Sequence, residues 1–161
     1  AYSMILRRFP ARFLAALLLA GLAAPGLAQG KRAAKAVAPD DAMLAAHAAF
    51  RAGDAVKLAR ASAGMERHVL APYLEYWRLK LRLEEMPQAD IQAFLRAQAG
   101  SYLADRLRAD WLKLLGRSGD WQGFERELGP LVNDDLEIRC YAWIARLERG
   151  DASAFEEARE E

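Results

Sequence analysis

The chain has 161 residues, one cysteine and two histidines, and its 23 Lys and Arg against 22 Asp and Glu give a net charge of +1. That balance excludes the basic excess of a nucleic-acid binder, the 53% hydrophobic content excludes a disordered chain, and a lone cysteine excludes an internal disulfide framework. One thiol and two imidazoles leave no usual zinc ligand set, so neither a metal nor a cofactor is expected.

In chain order, residues 1–28 read as a secretory signal. Met4 is followed by Arg7, Arg8 and Arg12, an apolar run over 13–22, the break Pro25-Gly26 and the small-residue exit Gly26-Leu27-Ala28. The run is shorter than the ~20 apolar residues of a membrane span. No cysteine follows the exit to carry a lipid. Ala1-Tyr2-Ser3 precede the expected initiator Met4, so the written start reads as an open frame. Residues 29–39, with Lys31, Arg32 and Lys35, read as a flexible leader whose charges are solvated.

From Asp40 onward the apolar residues recur at helical spacing, with no strand alternation. Asp40 or Asp41 is expected to cap a helix to Arg51, with Met43, Leu44, His47 and Phe50 on one side and Gly53 as its stop. A short helix follows from Asp54. Pro72 opens a helix from Tyr73 to about Met86, which Pro87 ends. The next runs from Asp90 to Gln98. Ser101 caps a helix to Leu115, closed by Gly116. Asp120 starts a short helix to Leu128, Asn133 or Asp134 caps one to Arg149, and Asp151 or Ser153 begins a last one containing Phe155.

The restarts are alike. Gly53-Asp54, Gly119-Asp120 and Gly150-Asp151 each place an apolar residue (Leu58, Phe124, Phe155) four positions past the acid, and Asp90 does so with Phe94. The acids stand 36, 30 and 31 residues apart, a period of helical-hairpin repeats. Repeats of that kind need broad apolar surfaces. Leu70, Leu74, Trp77 and Leu81 form one stripe, widened by Tyr73, Tyr76 and Leu83. Leu103, Leu107, Trp111 and Leu114 form the second, widened by Ala104, Leu112 and Leu115; Leu136, Cys140, Trp143 and Leu147 form the third, beside Tyr141 and Ile144. Glu75, Arg78, Arg82, Arg108 and Glu148 fall on the remaining faces. The expected fold is all-α, a right-handed superhelix (α-solenoid) of short helical hairpins over 40–161, cut off at its C-terminus; a four-helix bundle is the alternative.

No residue set reads as catalytic. Asp134-Asp135 is the most tempting carboxylate pair, but acids at a helix N-terminus satisfy free N–H groups and the helix dipole. His47 reads as a partly buried helix residue, His68 as loop or cap, and Cys140 as a small buried thiol. Tyr73, Tyr76, Trp77, Tyr102, Trp111, Trp121, Tyr141 and Trp143 are candidates for a carbohydrate-stacking surface, although helical spacing favours core. Arg106 and Asp110 read as a surface i, i+4 pair.

Several patches carry a resemblance: Pro72-Tyr73-Leu74-Glu75-Tyr76, the run from Tyr102 to Leu112, Gly119-Asp120-Trp121 with Phe124, Asn133-Asp134-Asp135-Leu136, and Arg139-Cys140-Tyr141. In this order and spacing, from Met43 to Glu161, they resemble the N-terminal superhelical region of soluble lytic murein transglycosylases. The resemblance implies a periplasmic protein of Gram-negative type. It also implies a C-terminal lysozyme-like domain that cleaves the bond between N-acetylmuramic acid and N-acetylglucosamine, leaving 1,6-anhydromuramoyl ends. The family's catalytic glutamate lies in a Glu-Ser motif followed by Gly-Leu-Met-Gln, and neither motif occurs here. No catalytic residue carries over. The expected partners are peptidoglycan glycan strands, through the intact enzyme, and the chain's own catalytic domain. The alternative is a periplasmic helical-repeat adaptor for protein partners.

Overall fold

A computed structural model describes residues 38–160, which belong to one compact unit. The expected signal and most of the expected leader lie outside the described residues. Among the described residues there are eight α-helices and no strand. They are α1 (Pro39–Arg51), α2 (Ala55–Ser62), α3 (Ala71–Leu81), α4 (Gln88–Ala97), α5 (Tyr102–Ser118), α6 (Trp121–Leu128), α7 (Leu136–Glu148) and α8 (Ser153–Glu160).

Several ends differ from expectation, each for a local reason. Pro39, assigned to the leader, opens α1, so Asp40 and Asp41 lie in its first turn facing the dipole rather than capping it. The helix α3 stops at Leu81, and the turns after it fold Leu83 and Met86 back onto the core. Pro87 occupies the cap position of α4, which leaves Asp90 in the first turn. In α5 the helix passes through Gly116 and ends at Gly119, whose φ of 72° is the left-handed conformation that glycine tolerates. Gly116 serves a different purpose: a Cβ there would stand 2.4 Å from Cγ of Tyr141, so its bare Cα is what lets α7 approach. Asp135, not Asn133 or Asp134, caps α7, accepting from the Ile138 amide at 3.1 Å.

The repeated joint is a definite piece of backbone in three of the four places. After α1, α5 and α7 a glycine of positive φ (Gly53, Gly119, Gly150) turns the chain. The amide of the following Asp54, Asp120 or Asp151 then donates back to the carbonyl of Ala49, Leu115 or Arg146, five residues earlier, at 2.9–3.0 Å. This satisfies carbonyls that a helix end leaves open. Asp54 and Asp120 cap the next helix through the amides of Lys57 and Gly123, and Leu58 and Phe124 land buried, 2% and 0% exposed. Asp90 does not make this joint, and at the third joint α8 starts later and leaves Phe155 57% exposed.

The helices pack by proximity in sequence. Each packs on the next, and α1, α3, α5 and α7 form a row in which each also meets the following member. Among the described residues no helix packs on one more than two places away, and no two even-numbered helices touch. The centre is α5, held between α3 and α7 and flanked by α4 and α6. Its Leu107, Leu112 and Trp111 are at most 2% exposed, as are Leu79 of α3 and Ile138 of α7. Of the stripe expected on α5, Leu103, Leu107 and Trp111 are buried and Leu114 is half-buried. The third stripe is not buried: α7 buries Ile138 and Ala145, with Tyr141 and Ala142 partly covered, while Leu136, Ile144, Leu147 and Cys140 are exposed. The buried-thiol reading of Cys140 is thus corrected. The covered side of α7 faces α5 and α6, where Tyr141 meets Gly116 and Phe124. Leu44 and His47 of α1 are likewise exposed, with Ala46 and Ala49 buried instead.

Candidate functional site

Tyr102, Arg106, Asp110, Lys113 and Arg117 recur at three- and four-residue spacing and share one side of α5. Neighbours on both sides extend that stripe into a ribbon. Lys80 of α3 bonds the carboxylate of Asp110 and lies 5.9 Å from the centre of the Tyr76 ring. Lys113 pairs with Asp135 and with Glu137 at 3.2 Å, and Arg117 reaches Glu137 at 3.7 Å. The ribbon therefore crosses α3, α5 and α7. The Lys113 hydrogen bond holds the Asp135 carboxyl below the ordinary range, and the same bond raises Lys113. Ionised carboxylates beside ammonium and guanidinium groups offer acceptors and donors in alternation, an arrangement suited to a hydroxyl-rich ligand.

The other side of the row holds a groove. Because α2 and α4 do not touch, a space of about 1030 Å³ opens between them, floored by Leu74, Glu75 and Arg78 of α3. Glu75 accepts two hydrogen bonds from the Arg78 guanidinium, at 3.0 and 2.6 Å. His68 lies at the rim, where its Nδ1 accepts from the Leu70 amide at 3.1 Å, the loop role expected of it.

The structure separates the sequence candidates. Trp111, Trp77 and Tyr76 are core, at 2%, 8% and 8% exposure. Tyr102 and Tyr73 are exposed, and only Tyr102 lies on the ribbon's α5 stripe. Trp121, Tyr141 and Trp143 are half-buried. Asp135 is a cap and an ion-pair partner, and its neighbour Asp134 is exposed. Asp110 pairs with Lys80 of α3, so the expected Arg106–Asp110 ion pair gives way to one between helices. His47 is exposed and tilts over Trp77, centroids 5.2 Å apart, far from Cys140 in the chain. Arg108, assigned to a solvent face, is instead nearly covered, with Nε 3.5 Å from Glu127.

Two polar centres were not anticipated. Asp105 is 8% exposed and accepts from the Val132 amide at 2.7 Å, the Asn133 amide at 3.2 Å and Asn133 Nδ2 at 2.8 Å. Burial opposes its ionisation, but these bonds and the charge of Arg108 outweigh it and hold the carboxyl below its ordinary range. The signal for it was an acid between Ala104 and Leu107 on an apolar face. Arg146 binds Asp151, Ser153 and both oxygens of Glu157, tying α8 to α7. Nothing in the local sequence marks that convergence, because the joint at Gly150 creates it.

Among the described residues no cluster of three or more His, Cys, Asp and Glu could hold a metal, and no helix is long and apolar enough to cross a membrane. Comparison of the chain with family models, curated proteins and solved structures gives no match.

Proposed function

We propose that residues 40–161 are a right-handed superhelical scaffold segment of a periplasmic lytic murein transglycosylase, which guides peptidoglycan glycan strands and does not cleave them. The observation that carries this reading is that each helix packs only on helices one or two places away in the chain, with a recurring Gly-Asp turn between them. Elements that meet only others close to them in the chain are the pattern of a repeat wall rather than of a closed globule. The ribbon from Lys80 to Glu137 supplies polar groups along such a wall, with Tyr102 available to lie against a sugar face. The acids nearest to hand serve structure: Asp135 caps and pairs, Asp110 pairs, and Asp105 anchors a loop. Residues 1–28 act in this reading as the export signal.

The test is cosedimentation of the full chain with purified murein sacculi, followed by analysis of the soluble products. Binding that weakens on Tyr102→Ala and Arg106→Ala, without anhydromuropeptides above a heat-killed control, is the expected result. Absence of binding would remove the glycan and favour the protein-adaptor alternative. Release of anhydromuropeptides would overturn the non-catalytic assignment.

A further inference from the structure

Tyr73 and Tyr102 are large aromatic side chains that folding leaves in water, 40% and 69% exposed. Neither is exposed for want of a neighbouring helix. In the row of odd-numbered helices α3 is packed on both α1 and α5, and α5 on both α3 and α7. Each ring lies in the first turn of its helix.

Their relative position follows from the packing. Short connections join α3 to α4 and α4 to α5, so successive helices run antiparallel and α3 and α5 run the same way. Lys80 of α3 bonds Asp110 of α5, which sets the two helices level at that point. One turn earlier in each, Arg106 comes within electrostatic reach of Tyr76, so the alignment holds back along both helices. Tyr73 lies seven residues before Lys80, and Tyr102 eight before Asp110. At about 1.5 Å of rise per residue the two tyrosines are therefore level to within about one residue. They stand on helices whose axes pack about 8–10 Å apart.

Both rings are held before any ligand arrives. Tyr73 meets the Trp77 ring edge-on, centroids 6.0 Å apart, and Trp77 is stacked on Phe50 of α1 at 5.4 Å. Tyr102 opens α5 directly after Ser101, whose hydroxyl oxygen accepts from the Ala104 amide at 3.2 Å. The exposed guanidinium of Arg106 follows one turn along the same side of α5 and offers donors to sugar oxygens.

A pyranose ring presents C–H groups on its faces, and these lie well against the negative face of an aromatic ring. In a β-1,4-linked chain successive sugars are turned over, so the same face recurs at every second unit. That repeat matches one helix spacing. We infer that Tyr73 and Tyr102 are paired stacking platforms for a β-1,4-linked hexosamine strand that crosses the helices, with sugars two units apart on the two rings. A strand laid along α5 would meet Tyr102 alone. The inference rests on the glycan reading above and adds to it a direction and a minimum length, since occupying both rings takes three sugars in sequence.

NMR titration of the isotope-labelled full chain with the β-1,4 dimer and tetramer of N-acetylglucosamine tests it. The tetramer should bind about tenfold more tightly than the dimer, which reaches only one ring, and should shift the amides of Tyr73 and Tyr102 together. Tyr73→Ala and Tyr102→Ala should each bring the tetramer down to the dimer's affinity. Phe at either position should keep the preference, because the ring rather than the hydroxyl makes the contact. Tyr102→Ala removes a side chain 69% exposed, so it decides the matter even if loss of Tyr73 loosens Trp77. A chain that binds sacculi but shows no preference for the tetramer, or that keeps its preference after Tyr102→Ala, overturns the paired platforms alone. A chain that binds neither sacculi nor tetramer overturns the glycan reading with them.

Discussion

Replacing Asp105 with Ala should be the most destabilising change available at a charged residue of this chain. Its carboxylate accepts three hydrogen bonds from Val132 and Asn133, at 2.7–3.2 Å, and thereby fixes the connection between α6 and α7 to α5. A hydrogen bond to a charged partner contributes about 1.5–3 kcal/mol. The three do not add in full, because Val132 is 78% exposed and the freed amides can turn to water. An expected loss of about 2–4 kcal/mol follows, large against the ~5–15 kcal/mol that holds a domain folded. The pH dependence has a definite sign. The folded carboxyl titrates below its ordinary range, so its contribution is complete above the unfolded value of about 3.9 and is lost as pH falls through the depressed folded value. Urea unfolding followed by tryptophan fluorescence, with Trp111 buried in the core, measures both effects. The gap between wild type and Asp105→Ala should be constant from neutral pH to about pH 5 and should narrow below about pH 4. Asn133→Ala should cost less, and the double variant should cost less than the sum of the two. A neutral-pH gap under about 0.5 kcal/mol, or one that acid leaves unchanged, would refute the anchor.

Two further expectations test how the row is put together. Phe124 and Phe155 hold equivalent places in the repeated joint but are 0% and 57% exposed. Phe124→Ala should therefore cost about 3–5 kcal/mol in the monomer and Phe155→Ala within about 0.5 kcal/mol, measured by thermal or urea unfolding at low concentration; equal losses would show that α8 packs like α6. Gly116→Ala should lower stability by about 1–3 kcal/mol although alanine is the better helix former, since its Cβ would stand 2.4 Å from Tyr141 Cγ; a rise in the melting temperature would show that α5 and α7 are not held that close.

Much of this architecture is legible along the chain. The joints at Gly53, Gly119 and Gly150 can be placed from sequence because a glycine able to adopt positive φ and an acid able to cap act within a few residues of each other. The broad stripe of α5 is legible because neighbours on both flanks bury nearly all of its apolar residues. Helix ends held by distant contacts are not legible in this way. Gly116 has the appearance of a stop until the ring of Tyr141 is seen to lie against it.

Local chemistry thus settled the helices, their turns and the all-α class, since caps, breakers and spacing act over one or two turns. Tertiary structure alone decided which side of a helix is inside. On α7 the apolar residues occupy two opposite sides, and only the positions of the helices packed on it select Ile138 and Ala145 for burial while leaving Leu136 and Leu147 exposed. It also decided the partners of the charges. Asp110 turns to Lys80 thirty residues back and Asp105 to a loop nearly as far ahead, because a side chain bonds what packing brings near it rather than what the chain places beside it.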